Sequence, residues 1–175
     1  MSLTNPSTLA LLSSTTLGGS GTFDISSIDQ TYSDLLVVAI VRGTDAGSSD
    51  NFAMRFNNDS AGNYDFQQLA YFGTSTAASQ ATAQTSMRVS VIPAAGGTAN
   101  YAATVRFEIC GYSTTSWVKK VASLTNYYAE TQGTPAAVNV TGVWRSTAAI
   151  NRIQLFGVTT ANLAANSVLR IYGRL

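Results

Sequence analysis

The residues that could do chemistry in this chain are few, and their spacing serves no common reaction. Of 175 residues none is His, one is Cys, and two of the nine acidic residues are Glu. General acid–base work needs two titratable groups with separated pKa values. A glycosidase needs two carboxyls facing each other across a cleft. Glu108 lies in the alternating stretch 106–109, where a same-face pair with Arg106 is expected, and Glu130 lies in the expected loop 126–135. Asp24, Asp29 and Asp34 occur close together, yet no spacing among them orients an acid against a base. The single Cys110 cannot form an intrachain bridge. With Arg106 four residues upstream and no imidazole to take its proton, it reads as an inert buried thiol, although strand parity groups it with polar neighbours. The chain is therefore expected not to be an enzyme and to carry no catalytic residue.

Hard oxygen ligands for Ca²⁺ could come from Asp45, Asp50 and Asn51, or from the turn 57–65. An EF-hand template begun at Asn57 places Asp59 and Gly62 correctly. It leaves Ala61 at the fifth position and Gln68 where the bidentate Glu belongs. Side chains that hydrogen-bond their own turn explain the same residues without a metal, so no metal and no cofactor are expected.

Aromatic and apolar residues outside the core are the better candidates, because rings stack on sugars and anchor protein interfaces. Tyr127 and Tyr128 fall in the loop 126–135, where at least one ring should face outward. Trp117 and Trp144 are expected in the core or between subunits. Leu9 and Leu11 sit in a Ser/Thr/Leu-rich segment whose Pro6 favours an extended conformation. Residues 1–17 form either an arm that adds a strand to a neighbouring subunit or an ordinary first strand. The candidate partner contacts are thus Leu9, Leu11, Trp117, Tyr127 and Tyr128.

The elements that must position these residues are strands. Thr, Val, Ile, Tyr and Phe recur in short alternating runs between Gly, Asn and Ser, and helical spacing is nearly absent. Phe52, Met54 and Phe56 alternate with Ala53 and Arg55; Tyr101, Ala103, Val105, Phe107 and Ile109 share one face. The run 35–41 is apolar throughout and reads as a central strand covered on both sides. Residues 74–83, built from Thr, Ser and Ala, read as a mobile loop. About ten strands result, which predicts an all-β fold: one antiparallel β-sandwich of jelly-roll type over residues 18–175.

Charge excludes further classes. The ten basic and nine acidic residues leave a net charge of +1. No basic stripe exists beyond Lys119 and Lys120, expected on a solvated face or at a charge-guarded edge. Nucleic acid is therefore not an expected partner. No basic leader precedes an apolar stretch, and no run approaches the roughly 18 apolar residues of a membrane helix. The expectation is a product made in the cytoplasm without a signal peptide and without membrane insertion. Charged residues make up 11% of the chain against about 25% in ordinary soluble proteins, leaving a surface of hydroxyls, amides and alanine. Such a composition suits a subunit of a larger assembly.

Gly21-Thr-Phe-Asp-Ile-Ser-Ser-Ile28, Asp50-Asn-Phe-Ala-Met-Arg-Phe-Asn-Asn-Asp-Ser60 and the closing Val168-Leu-Arg-Ile-Tyr-Gly173 resemble a family of jelly-roll virion proteins of tailed bacteriophages. The resemblance extends from about Gly18 onward. It implies a homotrimeric capsid decoration, or cement, protein on the virion surface, with itself and the major capsid protein as partners. The alternative it allows is a head- or tail-fibre tip that recognises a host surface glycan.

Overall fold

In the computed structural model, which describes residues 9–175, twelve strands form two antiparallel sheets packed face to face. In chain order they are β1 (Ala10–Thr16), β2 (Phe23–Ile25), β3 (Asp34–Val41), β4 (Ser49–Phe56), β5 (Tyr64–Phe72), β6 (Ser75–Gln84), β7 (Met87–Pro93), β8 (Ala103–Cys110), β9 (Lys119–Ala129), β10 (Thr134–Trp144), β11 (Ile153–Gly157) and β12 (Val168–Arg174). The larger sheet runs β1-β12-β3-β8-β9-β10-β5-β6 and the smaller β2-β11-β4-β7. The fold class is the expected β-sandwich.

The two strands beyond the expected ten are β1 and β6, the edges of the larger sheet. Residues 75–84 do not form the expected loop. They pair with β5 from Phe72↔Ser75 to Tyr64↔Gln84. Small side chains left no apolar alternation to read, but a strand whose partner supplies the ladder needs none. Residues 10–16 of the N-terminal segment pair with β12 of the same chain. Residues 1–8 of that expected arm lie outside the described residues.

With β5, β6, β9 and β10 set aside, the remaining eight strands pair in a nested order: β1 with β12, β2 with β11, β3 with β8, and β4 with β7. The chain thus resembles one long antiparallel ribbon folded over on itself. The hairpins β5–β6 and β9–β10 then widen the first sheet beyond β8.

Strand periodicity decides what is buried, since successive side chains point to opposite faces. Leu35, Val37, Ala39 and Val41 of β3 face Phe52, Met54 and Phe56 of β4 within one core, joined by Val105, Phe107 and Ile109 of β8 and Leu169 and Ile171 of β12. The expectation that β3 is covered on both faces is corrected: Ile40 is exposed, and Leu36 and Val38 are only half-buried. An apolar run can also be a one-sided strand with apolar residues on its open face.

Two local arrangements lock the sheets together. A Cβ at Gly142 of β10 would collide with the Met87 side chain, so the absent side chain leaves room for Met87 of β7 against β10. At the end of β10 the Trp144 and Tyr64 rings stack at 6.3 Å, and Trp144 Nε1 donates to Asp59 Oδ2 at 2.6 Å. Tyr64 Oη accepts from the Phe56 amide at 2.9 Å, and burial pushes its pKa up to about 12. Trp144 is a core residue, as one of the two expectations held.

Candidate interaction surface

The outer face of the larger sheet is the feature most open to a partner. On β9 the inward set is Val121, Ser123 and Thr125, which leaves Lys120, Ala122, Leu124, Asn126 and Tyr128 outward. Across the sheet, Leu124 aligns with Asn139 of β10, Leu69 of β5 and Ala78 of β6. On either side run Asn126–Ala137–Tyr71–Thr76 and Ala122–Thr141–Gln67–Gln80. These three rows over four strands contain no charged side chain. Leu124 is 45% exposed, and Leu69, Tyr71 and, farther along the sheet, Ile40 are exposed as well.

The face ends at β6, an edge strand of ten residues, STAASQATAQ, without a charge or a proline. Native edges are ordinarily guarded by Lys, Pro or a short length, because unpaired N–H and C=O groups are a template for another strand. β6 has a bulge near its end, opposite Asp65, but no charge to repel a partner. β1, at the far edge, is uncharged too.

Exposed aromatics mark the two ends of β9. Trp117, 75% exposed, precedes the strand, and Val118 beside it is also exposed. Lys119 holds this loop. Its Nζ donates to the carbonyls of Thr114 at 2.6 Å, Trp117 at 2.9 Å and Thr147 at 3.1 Å. The side chain expected on a solvated face is instead 1% exposed, because three main-chain acceptors replace water around its ammonium; burial lowers its pKa. At the other end, roughly 30 Å away at about 3.3 Å per residue, the Tyr128 ring meets Tyr101 at 5.3 Å.

The expected contacts divide accordingly. Trp117 and Tyr128 are exposed at opposite ends of β9, and Leu9 and Leu11 are exposed at the β1 edge. Tyr127 turns inward and packs against the core, where burial raises its pKa. Both tyrosines lie within β9 rather than in a loop, so alternation puts one ring on each face. The expected loop 126–135 reduces to one 3-10 turn, Glu130–Gln132, with Gly133 at φ +63° closing it. Both Glu130 carboxylate oxygens accept from the Thr98 amide, at 2.7 and 2.8 Å, and hold its pKa down. Leu124, Leu69 and Tyr71 were missed as candidates. Parity with the polar Lys120 and Asn126 would have found Leu124, had residues 117–124 not read as irregular.

No protein-family model matches the chain, and no curated protein matches it.

The other reactive groups are occupied structurally. Asp59 accepts from the Ala61 amide at 2.9 Å, Asn63 Nδ2 at 2.9 Å and Trp144 Nε1 at 2.6 Å. Burial opposes its ionisation, but these donors prevail and its pKa is lowered. Among the described residues no group of three or more His, Cys, Asp or Glu is placed to hold a metal ion, and no helix is long and apolar enough to cross a membrane. Glu108 pairs with Arg106 at 2.9 Å, as strand parity required. Cys110 is exposed on the outer face rather than buried; partial desolvation and then the Asp34 carboxylate raise its pKa, which keeps it a thiol.

Proposed function

We propose that this chain is a structural subunit of a tailed-bacteriophage virion, a decoration protein that binds as a homotrimer and clamps neighbouring major capsid subunits. The observation that carries the assembly role is the set of three uncharged rows across the outer face of β9, β10, β5 and β6, flanked by Arg106 and Glu108 of β8 and by Lys120 and ending in an unguarded edge. Rows with Leu124, Leu69 and Tyr71 exposed among amides and hydroxyls lose little solvation when covered and carry no charge of their own to repel a copy. Unpaired edge groups on β6 and β1 supply main-chain hydrogen bonds to an added strand.

The virion location rests on the sequence resemblance, and the nested strand order supports a jelly-roll reading of the sandwich. The mechanism is mass action. A protein that binds the assembled shell and not its separated subunits shifts the equilibrium toward the shell. Purified protein mixed with stripped, expanded capsids is expected to add in a fixed ratio to the major capsid protein. Protein that stays in solution in that mixture removes the cement reading.

A second reading, a fibre tip that binds a host surface glycan, is favoured by the paired rings of Tyr101 and Tyr128. Glycan-array binding lost on Tyr128→Ala would select it over the first.

A further inference from the structure

Arg88 differs from the other basic residues of the chain. Arg42 donates to the carbonyls of Thr98, Tyr101, Ala94 and Gly97, and Arg55 to that of Thr85. Arg106, Arg145, Arg152 and Arg174 each pair with a carboxylate, and Lys119 is satisfied as described. Lys120 and Arg170 are exposed to water. Arg88 is half-buried and has no polar partner among the described residues. Its guanidinium lies 4.9 Å from the centre of the Phe66 ring, and burial lowers its pKa with no carboxylate to offset the cost. Its nitrogens are not sealed from solvent, so donors that find no acceptor within the described residues are free to take one from a ligand.

The group opens into a cleft of about 180 Å³ in the angle between the β5–β6 hairpin and the smaller sheet, lined by Phe66, Ser79, Gln80, Gln84 and Ser86 beside Arg88. The buried Ser79 Oγ has no partner, nor has Oε1 of Gln68, which stands opposite Ser79 in the strand pairing and is more than nine-tenths buried. One unsatisfied oxygen, Ser79 Oγ, therefore belongs to the cleft lining beside a fork of N–H donors that the chain leaves free. The chain bends to build this corner. β6 carries a bulge there, Ala83 takes a positive φ of 54°, and its amide is held by Asp65 Oδ1 at 2.8 Å. Bulges re-aim side chains beside binding sites, and a non-glycine residue in the left-handed region stores strain.

We propose that this cleft binds a carboxylate-bearing small molecule the size of one sugar ring, a hexuronic acid, with Arg88 pairing its carboxylate. A planar guanidinium suits a carboxylate because two parallel N–H donors match two oxygens. A hydroxyl of the sugar acid donates to Ser79 Oγ while Gln80, Gln84 and Ser86 meet its rim, and Phe66 and Val158 supply apolar surface for the ring. The volume, below the roughly 300–1,000 Å³ of drug-sized pockets, limits the occupant to a single residue. The cleft opens on the inner side of the β5–β6 hairpin and shares Gln80 and part of the β6 strand with the proposed assembly face.

The test is an amide and arginine-side-chain NMR titration of the full chain with sodium glucuronate, glucose, acetate and the tripeptide Gly-Glu-Gly. Glucuronate is expected to shift the resonances of Ser79, Gln84 and Arg88 Nε with an affinity about tenfold or more above that of glucose and acetate, and Arg88→Gln to lose that margin. The folded spectrum of Arg88→Gln, compared with Arg88→Lys, separates lost binding from lost structure. Equal shifts with acetate, tighter binding of Gly-Glu-Gly, or a glucuronate response unchanged in Arg88→Gln would each overturn the proposal.

Discussion

Lys119 Nζ donates to the carbonyl oxygen of Trp117 at 2.9 Å. One of the few cations in the chain is thus spent on presenting its most exposed aromatic ring, and Thr114 and Thr147 complete the brace. Lys119→Met keeps the apolar stem and removes three donors. The expected loss is about 1.5–3 kcal/mol by urea unfolding, the range for hydrogen bonds to charged groups, with faster hydrogen exchange in residues 114–118. Unchanged stability and exchange would show that the brace is ornamental. Trp117→Ala, by contrast, should move stability by no more than about 0.5 kcal/mol, since the ring is outside the core.

A Cβ at Gly142 would force the buried Met87 side chain to shift. Gly142→Ala should destabilise by about 1–3 kcal/mol through overpacking, and Met87→Ala in the same chain should recover part of that loss by vacating the space. Strict additivity of the two substitutions in chemical denaturation would contradict the contact.

Acid should loosen the fold in a narrow window. Donation from Arg152 holds the Asp24 carboxyl below its ordinary value, and the donors around Asp59 do the same against its partial burial. Both groups bind a proton less readily folded than unfolded. Their contribution is complete above the unfolded value of about 3.9 and is lost as pH falls through the lowered folded values. With no His, stability should be nearly flat between about pH 5.5 and 7. Urea midpoints that drop across that neutral range, or hold level from about pH 5 to 2, would contradict this assignment.

The sequence carried the sandwich because alternation is a direct image of a half-buried strand. Phe52, Met54 and Phe56 read correctly for that reason. It hid β6, whose Ala, Ser and Thr carry no apolar period and whose strand character comes from pairing with β5. Lys119 was misread because residue type alone cannot show that three carbonyls converge on one ammonium. The Arg88 cleft was illegible for a similar reason: Phe66, Ser79 and Arg88 come from three strands, and only the register of β5 with β6 and the packing of β7 bring them together.

The proposed self-association would use Leu124, Leu69 and Tyr71 together with the bare β6 edge. Ala78→Lys places a charge on that edge without touching the core, and should weaken association while leaving the urea midpoint within about 0.5 kcal/mol of the parent. Association unaltered by Ala78→Lys would move the interface elsewhere.

The most direct measurement is the sedimentation-equilibrium mass of the purified chain beside that of Leu124→Glu. The account predicts three times the 18.4 kDa protomer for the parent and a single protomer for the variant. A parent chain that sediments at 18.4 kDa, or a variant that stays trimeric, would contradict it.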